Sequence, residues 1–393
     1  MNKPLEYLSS YAFAIVILSF VFVLTFLGTL YQVEHGLHAS MEKYFTSFFL
    51  MHDLFGVVPI PLPGMYLLLI LLAINLTAGG ILRMRKDKRR IGVLTIHIGI
   101  LTLLGGGLVE ERMKTEGHMT LFEQESSNIY ESYVEWELVM TPVNRDGEVT
   151  EYRIPGEDFV TMRPHESRTF YAEGLPFELT LSGYQRNAAP QPARPGAPRN
   201  INGFYLHPLD WNPTAEQNLS GAYARLTELS TGEQQEGILF GRTLFSRTLH
   251  PWVVEVDGEE WAIDLRRRRW EVPFTITLNQ FERELHPRTM MAARFSSHVT
   301  KTEDGDNQQI HITMNEPLRH RGYTFYQASW GPDPNSDPPP PPNMPLFSTF
   351  AVVNNPADQF PMWACFIVGF GLVYHFAQRL INYLRAESRR AAS

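Results

Sequence analysis

A chain of 393 residues with a formal net charge of −8 is long enough for more than one structural unit, and its acidic balance argues against a nucleic-acid partner. The single cysteine, Cys365, excludes an intrachain disulfide, a CxxC redox pair and a CxxCH motif. Mean hydropathy is only −0.18 although 44% of residues are hydrophobic, the balance produced when a polar domain dilutes membrane-spanning helices.

In chain order, residues 1–31 hold a short tail and a first apolar span at 11–31, residues 32–63 a loop, and residues 64–82 a second span. Residues 83–90 form a basic link, 91–109 a third span, 110–359 a long polar insert, 360–380 a fourth span and 381–393 a tail. Each span approaches the roughly 20 apolar residues that carry a helix across ~30 Å of hydrocarbon. The first is longer than a signal-peptide core and lacks a small-residue cleavage site, so it is expected to be retained. Within 32–63, the stretch from Met41 to Phe55 mixes aromatic and polar residues at helical spacing and reads as an interfacial or short packed helix. Arg83, Arg85, Lys86, Lys88, Arg89 and Arg90 in the link, with Arg379, Arg385, Arg389 and Arg390 after the fourth span, put both termini in the cytoplasm by the positive-inside rule. The loop 32–63 and the insert 110–359 then lie outside.

The insert is patterned as strands. Residues 133–139, 177–181, 252–256 and 274–278 alternate or cluster β-formers, and Asp146-Gly147, Asp257-Gly258 and Asp304-Gly305 supply turns. The expected fold is therefore a membrane α+β protein: four transmembrane helices, three N-terminal and one C-terminal, with a large extracytoplasmic all-β, sandwich-like domain. Residues 187–200 and 331–345 are rich in Pro and read as irregular, the latter stiffened by Pro338 to Pro342. Arg266 to Arg269 would point to both faces of a strand. That suits an exposed edge protected against association, or a site for anionic groups. His311, between Ile310 and Ile312, should face away from the apolar side. Cys365 reads as a small apolar filler.

His97 stands alone in the third span, ahead of Gly99 and the run Gly105-Gly106-Gly107. An ionisable ring in lipid needs a partner, which makes it a functional-site candidate, and iron in haem is the partner that best suits an imidazole. It lies about 9 Å in from the cytoplasmic end, and His375 of the fourth span about 8 Å in. An intrachain pair of axial ligands at similar depth, or a bland interfacial role for His375, both fit. The glycines allow close approach of a macrocycle or of another helix.

Late in the insert stand Phe295-Ser-Ser and the run from Ile312 to Trp330, whose segment NEPLRHRGYTFYQASW resembles the NxPLxYxGYxFYQxS pattern of the ResB (CcsB) family of System II cytochrome c biogenesis proteins. His320 occupies a position where that pattern more often has an aromatic. The first span ends Gly28-Thr29-Leu30-Tyr31-Gln32, similar to the family's GTxxPQ ending with Tyr31 in place of proline, and the layout of three helices, an outside domain and one helix covers nearly the whole chain. The resemblance implies a subunit of a cytochrome c haem lyase or synthase complex without stand-alone catalysis, in a bacterial inner membrane. It implies bound haem b with His97 as axial ligand to iron and the second ligand on a partner protein, which leaves His375 an interfacial or hydrogen-bonded residue. The implied partners are a CcsA/ResC-like membrane protein, apocytochrome c with its CxxCH thiols, and thiol-reducing thioredoxin-like proteins. The competing expectations are a scaffold or accessory subunit of an electron-transfer complex that binds no haem, and a quinone-linked cytochrome b subunit, for which two in-membrane histidine pairs would be needed.

Overall fold

The computed structural model of the chain describes residues 3–391 apart from 55, 85–86, 88–89, 144–149, 164, 195, 197–198, 242–250, 287–291 and 333–344. Asp146-Gly147, the run Pro338 to Pro342 and four of the six link cations (Arg85, Lys86, Lys88 and Arg89) lie outside the described residues. The chain divides into two compact units, Met1–Thr115 with Asn354–Ser393, and Glu116–Val353.

The first unit contains helices α1 (Lys3–Leu8), α2 (Tyr11–Ser40), α3 (Met65–Asn75), α4 (Ile91–Met113) and α5 (Phe360–Ala391). Four segments, Tyr11–Phe45, Met65–Leu82, Ile91–Met113 and Phe360–Ala391, are long and apolar enough to cross a membrane. The Ser10 side chain caps α2 by accepting the Phe13 amide at 3.2 Å. Inside α2 the chain reverses at Gly36, whose φ of 83° only glycine adopts cheaply. The segment beyond it folds back, so that Ser40 Oγ donates to the Gly28 carbonyl at 2.7 Å.

The helix expected from Met41 to Phe55 is limited to a π-helical turn, Met41–Phe45. Beyond it, β1 (Phe49–Leu54) pairs with β2 (Val58–Pro63). Proline at alternate positions 59, 61 and 63 leaves the amides of Val58, Ile60 and Leu62 to face the partner strand, which is why a proline-rich run can pair here. α5 continues past 380 to Ala391, because residues 381–391 contain neither Gly nor Pro to stop it. α4 likewise runs through Glu110 to Met113, so the second unit starts later than 110.

α4 and α5 pack along a glycine seam. A Cβ on Gly92 would lie 2.7 Å from the Gly371 carbonyl oxygen, on Gly99 2.6 Å from Val368 Cγ2, and on Gly106 2.5 Å from Phe360 Cβ. Spaced seven apart, these three glycines share one face of α4 and let the backbones approach. Gly105 and Gly107 face open space.

The second unit holds β3 (Thr115–Phe122), β4 (Ser126–Pro142), β5 (Tyr152–Pro155), β6 (Ser167–Phe170), β7 (Phe177–Gln185), β8 (Ala188–Pro192), β9 (Phe204–Pro208), β10 (Gly221–Glu228) and β11 (Gln234–Phe240). It continues with β12 (Trp252–Val256), β13 (Glu259–Leu285), β14 (Ala292–Glu303), β15 (Asp306–Thr313), β16 (Leu318–His320), β17 (Tyr323–Gly331) and β18 (Phe347–Asn354). The large sheet runs β15-β14-β13-β4-β3-β18-β17-β16, with β12 added on β13 and β5 on β4, and a second sheet runs β11-β10-β7-β6. Left-handed pairs at Asp257-Gly258, Asp304-Gly305 and Arg321-Gly322 close the hairpins β12–β13, β14–β15 and β16–β17 in the geometry of a tight type I′ turn. The Pro/Ala-rich stretch from 187 is not wholly irregular: β8 pairs with β9.

Two apolar cores result. Leu138, Phe177, Leu179, Leu226, Trp261 and Ile263 fill one between the two sheets. Met119, Tyr130, Ile276, Val299, Phe325 and Phe350 fill the other, within the curled large sheet. Each such side chain, fully buried, contributes about 1.5–3 kcal/mol. The long strands β4 and β13 serve both cores and bend between them, where their register slips between Arg267 and Arg269 and again between Glu271 and Ile276.

Candidate functional site

His97 sits on α4 with its ring against α3's π-helical continuation, Leu76–Leu82. Nδ1 is 3.2 Å from the Gly80 carbonyl oxygen. A carbonyl only accepts, so this contact assigns the proton to Nδ1 and leaves the Nε2 lone pair free; among the described residues Nε2 has no hydrogen-bond partner. Gly80 lies in the last turn of its helix, where carbonyls lack intrahelical partners, and a Cβ there would overlap the imidazole. The ring is thus both oriented and given its space by one glycine.

His375 lies elsewhere. Its Cβ packs on Gly92 at the α4–α5 seam, its ring meets Phe376 edge-on at 5.6 Å, and Nδ1 is buried without a hydrogen-bond partner. His97 is five positions beyond Gly92 and two before Gly99, which at about 100° per residue places it some 140–160° around α4 from the seam. The two histidines therefore occupy opposite sides of α4 and do not converge. Cys365 is exposed on α5 rather than packed as a filler.

Further polar contacts in the helical unit carried no obvious mark in the sequence. The Tyr44 hydroxyl, fully buried, is 2.7 Å from His52 Nδ1, and Asn75 Nδ2 donates to the Leu8 and Ser10 carbonyls at 2.6 and 3.1 Å. The Gly79-Gly80 pair was the available signal for a close approach.

In the β unit, the stretch from Phe295 to Trp330 is architectural. Ser297 Oγ donates to Gln327 Oε1 at 2.7 Å, and Gln327 Nε2 donates to Ser348 Oγ at 2.8 Å, all buried, tying β14, β17 and β18 together. The Thr313 hydroxyl accepts the Glu316 amide at the turn. Phe325 is fully buried, whereas Tyr326 is exposed beside Arg319. His320 Nε2 contacts Glu303 at 2.6 Å and Arg321 Nε the same carboxylate at 2.7 Å. That His320 hydrogen bond, with the Arg321 and Lys301 charges, holds the Glu303 carboxyl below its ordinary value. An imidazole in this position thus has a specific partner.

Each of the four arginines has a partner, and at 266–269 β13 pairs with β4, its ladders with β12 and β14 covering 259–263 and 275–285. Arg266 pairs with Glu137 at 2.9 Å and Glu151 at 3.0 Å, Arg268 with Glu135 at 2.9 Å and Arg269 with Glu131 at 2.7 Å. β4 presents a glutamate to each of these three cations. Arg267 is buried over the Trp136 ring at 4.0 Å and donates to the Glu216 and Asn218 carbonyls; burial pulls its pKa down to about 10. Nearby His118, 5% exposed, has neither ring nitrogen hydrogen-bonded among the described residues, and its ring lies 5.2 Å from that of Tyr133, tilted by 40°. Burial pushes the His118 pKa down and raises that of Tyr133 to about 12. His311 is exposed, as its alternation with Ile310 and buried Ile312 required.

Membrane-crossing helices, one bearing an oriented imidazole, joined to a separate two-core β domain define an integral membrane protein of mixed α+β class. Residues 237–338 match the model of the ResB-like family. The chain is 40% identical over 70 residues to the cytochrome c biogenesis protein CcsB of Prochlorococcus marinus (strain NATL2A), a stretch covering 18% of this chain and 16% of that protein. It is 37% identical over 69 residues, with the same shares, to CcsB of Synechococcus sp. (strain CC9902), and 39% identical over 70 residues to CcsB of P. marinus (strain NATL1A). The chain thus resembles the ResB-like family over part of its length, and the match spans about a sixth of these curated relatives' length.

Proposed function

We propose that this protein is a haem-handling subunit of a cytochrome c maturation complex, holding haem b in the membrane through His97. The observation that carries the proposal is the Nδ1 contact with Gly80: second-shell anchoring of one ring nitrogen fixes the tautomer that presents the other to a metal. The residues fit one side of a haem, since Nε2 is unpartnered and the ring is held. His375 of the same chain, whose ring lies across α4 from His97 with Nδ1 unpartnered, would not share a haem with it, and a membrane partner of the CcsA/ResC type would supply the other ligand. Bound haem brings the vinyl groups to which the CxxCH thiols of apocytochrome c add. This chain positions the cofactor, shields it among apolar helices and presents it with the β domain outside and the basic link and both termini in the cytoplasm. Having one cysteine, it relies on separate thioredoxin-like proteins to keep those thiols reduced.

The test is the absorption spectrum of the detergent-purified chain, alone and co-purified with its partner. A low-spin haem band that disappears in His97→Ala and persists in His375→Ala is expected. Absence of haem in every preparation would replace the proposal with a haem-free scaffold role, and loss in His375→Ala with retention in His97→Ala would reassign the ligand.

A further inference from the structure

The hairpin β1–β2 carries an apolar face that the helical unit leaves uncovered. From Phe48 to Gly64 the sequence has one charged side chain, Asp53. In the ladder Phe49 pairs with Pro63, Met51 with Pro61 and Asp53 with Pro59, whereas Leu50 pairs with Leu62 and His52 with Ile60. Directly paired residues share a face of an antiparallel ribbon, so the two sets point to opposite sides. The second set faces inward: Leu50 and Leu62 join the core around α2 and α3, and His52 meets the Tyr44 hydroxyl. The first set faces outward, with Phe49 74% and Met51 51% exposed and Pro59 and Pro61 exposed beside them. An antiparallel ribbon with one solvated face normally carries polar side chains there; this face is mostly hydrocarbon.

The position of the hairpin argues for the occupant. The Gly64 amide donates to the Phe48 carbonyl at 2.7 Å, and the membrane-crossing segment Met65–Leu82 starts at the next residue, so the base of the hairpin stands at the end of a span with no linker between. Exposed Phe22, Phe26 and Leu30 of α2 lead toward the same end of the bundle, where Gly28 meets the Phe45 ring. Phe48 lies 5.8 Å from Tyr66 of α3, and aromatic side chains of this kind gather at the boundary between hydrocarbon and water. A third strand cannot pair with β2, because prolines at 59, 61 and 63 leave its outer edge without an N–H to offer. The carbonyls on that edge require hydration, which holds the ribbon at the interface and out of the hydrocarbon centre.

We infer that the β1–β2 hairpin lies on the membrane interface as an anchor, with Phe49, Met51, Pro59 and Pro61 against lipid acyl chains and Asp53, at the far end of the face, among the headgroups. Interfacial elements of this kind sink about 5–10 Å into the boundary between headgroups and chains. The inference concerns lipid contact alone and is independent of haem. The experiment places a nitroxide through Phe49→Cys or Met51→Cys in the full Cys365→Ala chain, reconstituted in vesicles of phosphatidylcholine and phosphatidylglycerol. It measures collision with oxygen, which partitions into lipid, and with a water-soluble nickel chelate, which does not. Phe22→Cys on the exposed surface of α2 and Glu233→Cys at an exposed turn of the β domain give the lipid and water references. The oxygen-to-nickel ratio at positions 49 and 51 is expected near that at 22 and severalfold above that at 233. A ratio equal to that at 233 overturns the inference, and so does low collision with both reagents, which means that protein covers the face. Photocrosslinking of the wild-type chain, in vesicles containing a phospholipid with a diazirine near the glycerol end of its acyl chain, gives a readout free of substitutions. Adducts within 48–63 are expected, and their absence while α2 is labelled overturns the assignment.

Discussion

Gly80 is as much a part of the His97 site as the histidine itself. Replacing it with alanine would push a Cβ into the imidazole, break the Nδ1 contact and release the ring. Haem retained per chain should fall about 10- to 100-fold in Gly80→Ala, the usual cost of losing such an anchor. Gly107→Ala, where nothing lies within 4 Å, should retain wild-type content; equal losses in both would show that helix composition, not ring orientation, matters. His118 offers a residue-level test in the other unit. Its folded pKa is depressed by burial, so the unfolded chain binds the proton first, and stability should decline as pH falls below the ordinary value of 6.5. His118→Phe removes that slope and an unsatisfied buried ring, which costs about 1–3 kcal/mol. Denaturant midpoints at pH 7.5 and 5.5 should therefore converge in the variant, and an unaltered pH dependence would refute the assignment.

At the scale of elements, the ladder between β4 and β13 is the clearest energetic feature. The Arg266 and Glu137 side chains are 11% and 6% exposed, so removing one leaves a buried charge short of its partner. Glu137→Ala should cost about 3 kcal/mol, the low end for a broken buried pair because Glu151 remains, read by tryptophan fluorescence in a denaturant series. Desolvation works to raise the Glu151 carboxyl, but hydrogen bonds from Arg266 and Arg153 prevail and hold it below its usual 4.5. The stabilisation is complete above that value and is lost as pH falls through the depressed one. This ladder was illegible in the sequence: the four arginines stand out, but the glutamates that answer them lie about 130 residues earlier and share no local pattern with them. The helices were legible, since twenty apolar residues advertise themselves, and so was the lone His97. Gly80 was not, because its role depends on how α3 and α4 rotate against each other. The same limitation kept the side of α4 that meets α5, and with it the placement of His375 relative to His97, out of reach of the sequence.

For the whole molecule, alternation identified strands at 252–256 and 274–278 but not that the second belongs to a 27-residue ribbon. Pro273 and the arginine run interrupt the period of two just where β13 passes from one core to the other, so a local reading sees fragments. The family motif was legible as sequence, and its residues turn out to weld strands rather than to perform chemistry. His320 and Gln327 therefore report on whether this domain is built, while the proposed function is tested at His97.

β3 and β18, the first and last strands of the β domain, are neighbours in its sheet. Entry and exit of some 240 residues thus sit side by side, as in an insertion housed between two helices that already pack on each other. Such a domain is a detachable module: its interior could be lengthened, reshaped or exchanged in descent without disturbing the α4–α5 seam, which needs only that the two ends of the insert remain close. Divergence among relatives should accordingly concentrate in the parts of the module outside the matched residues 237–338, while the glycines at 92, 99 and 106 change together with their counterparts on α5.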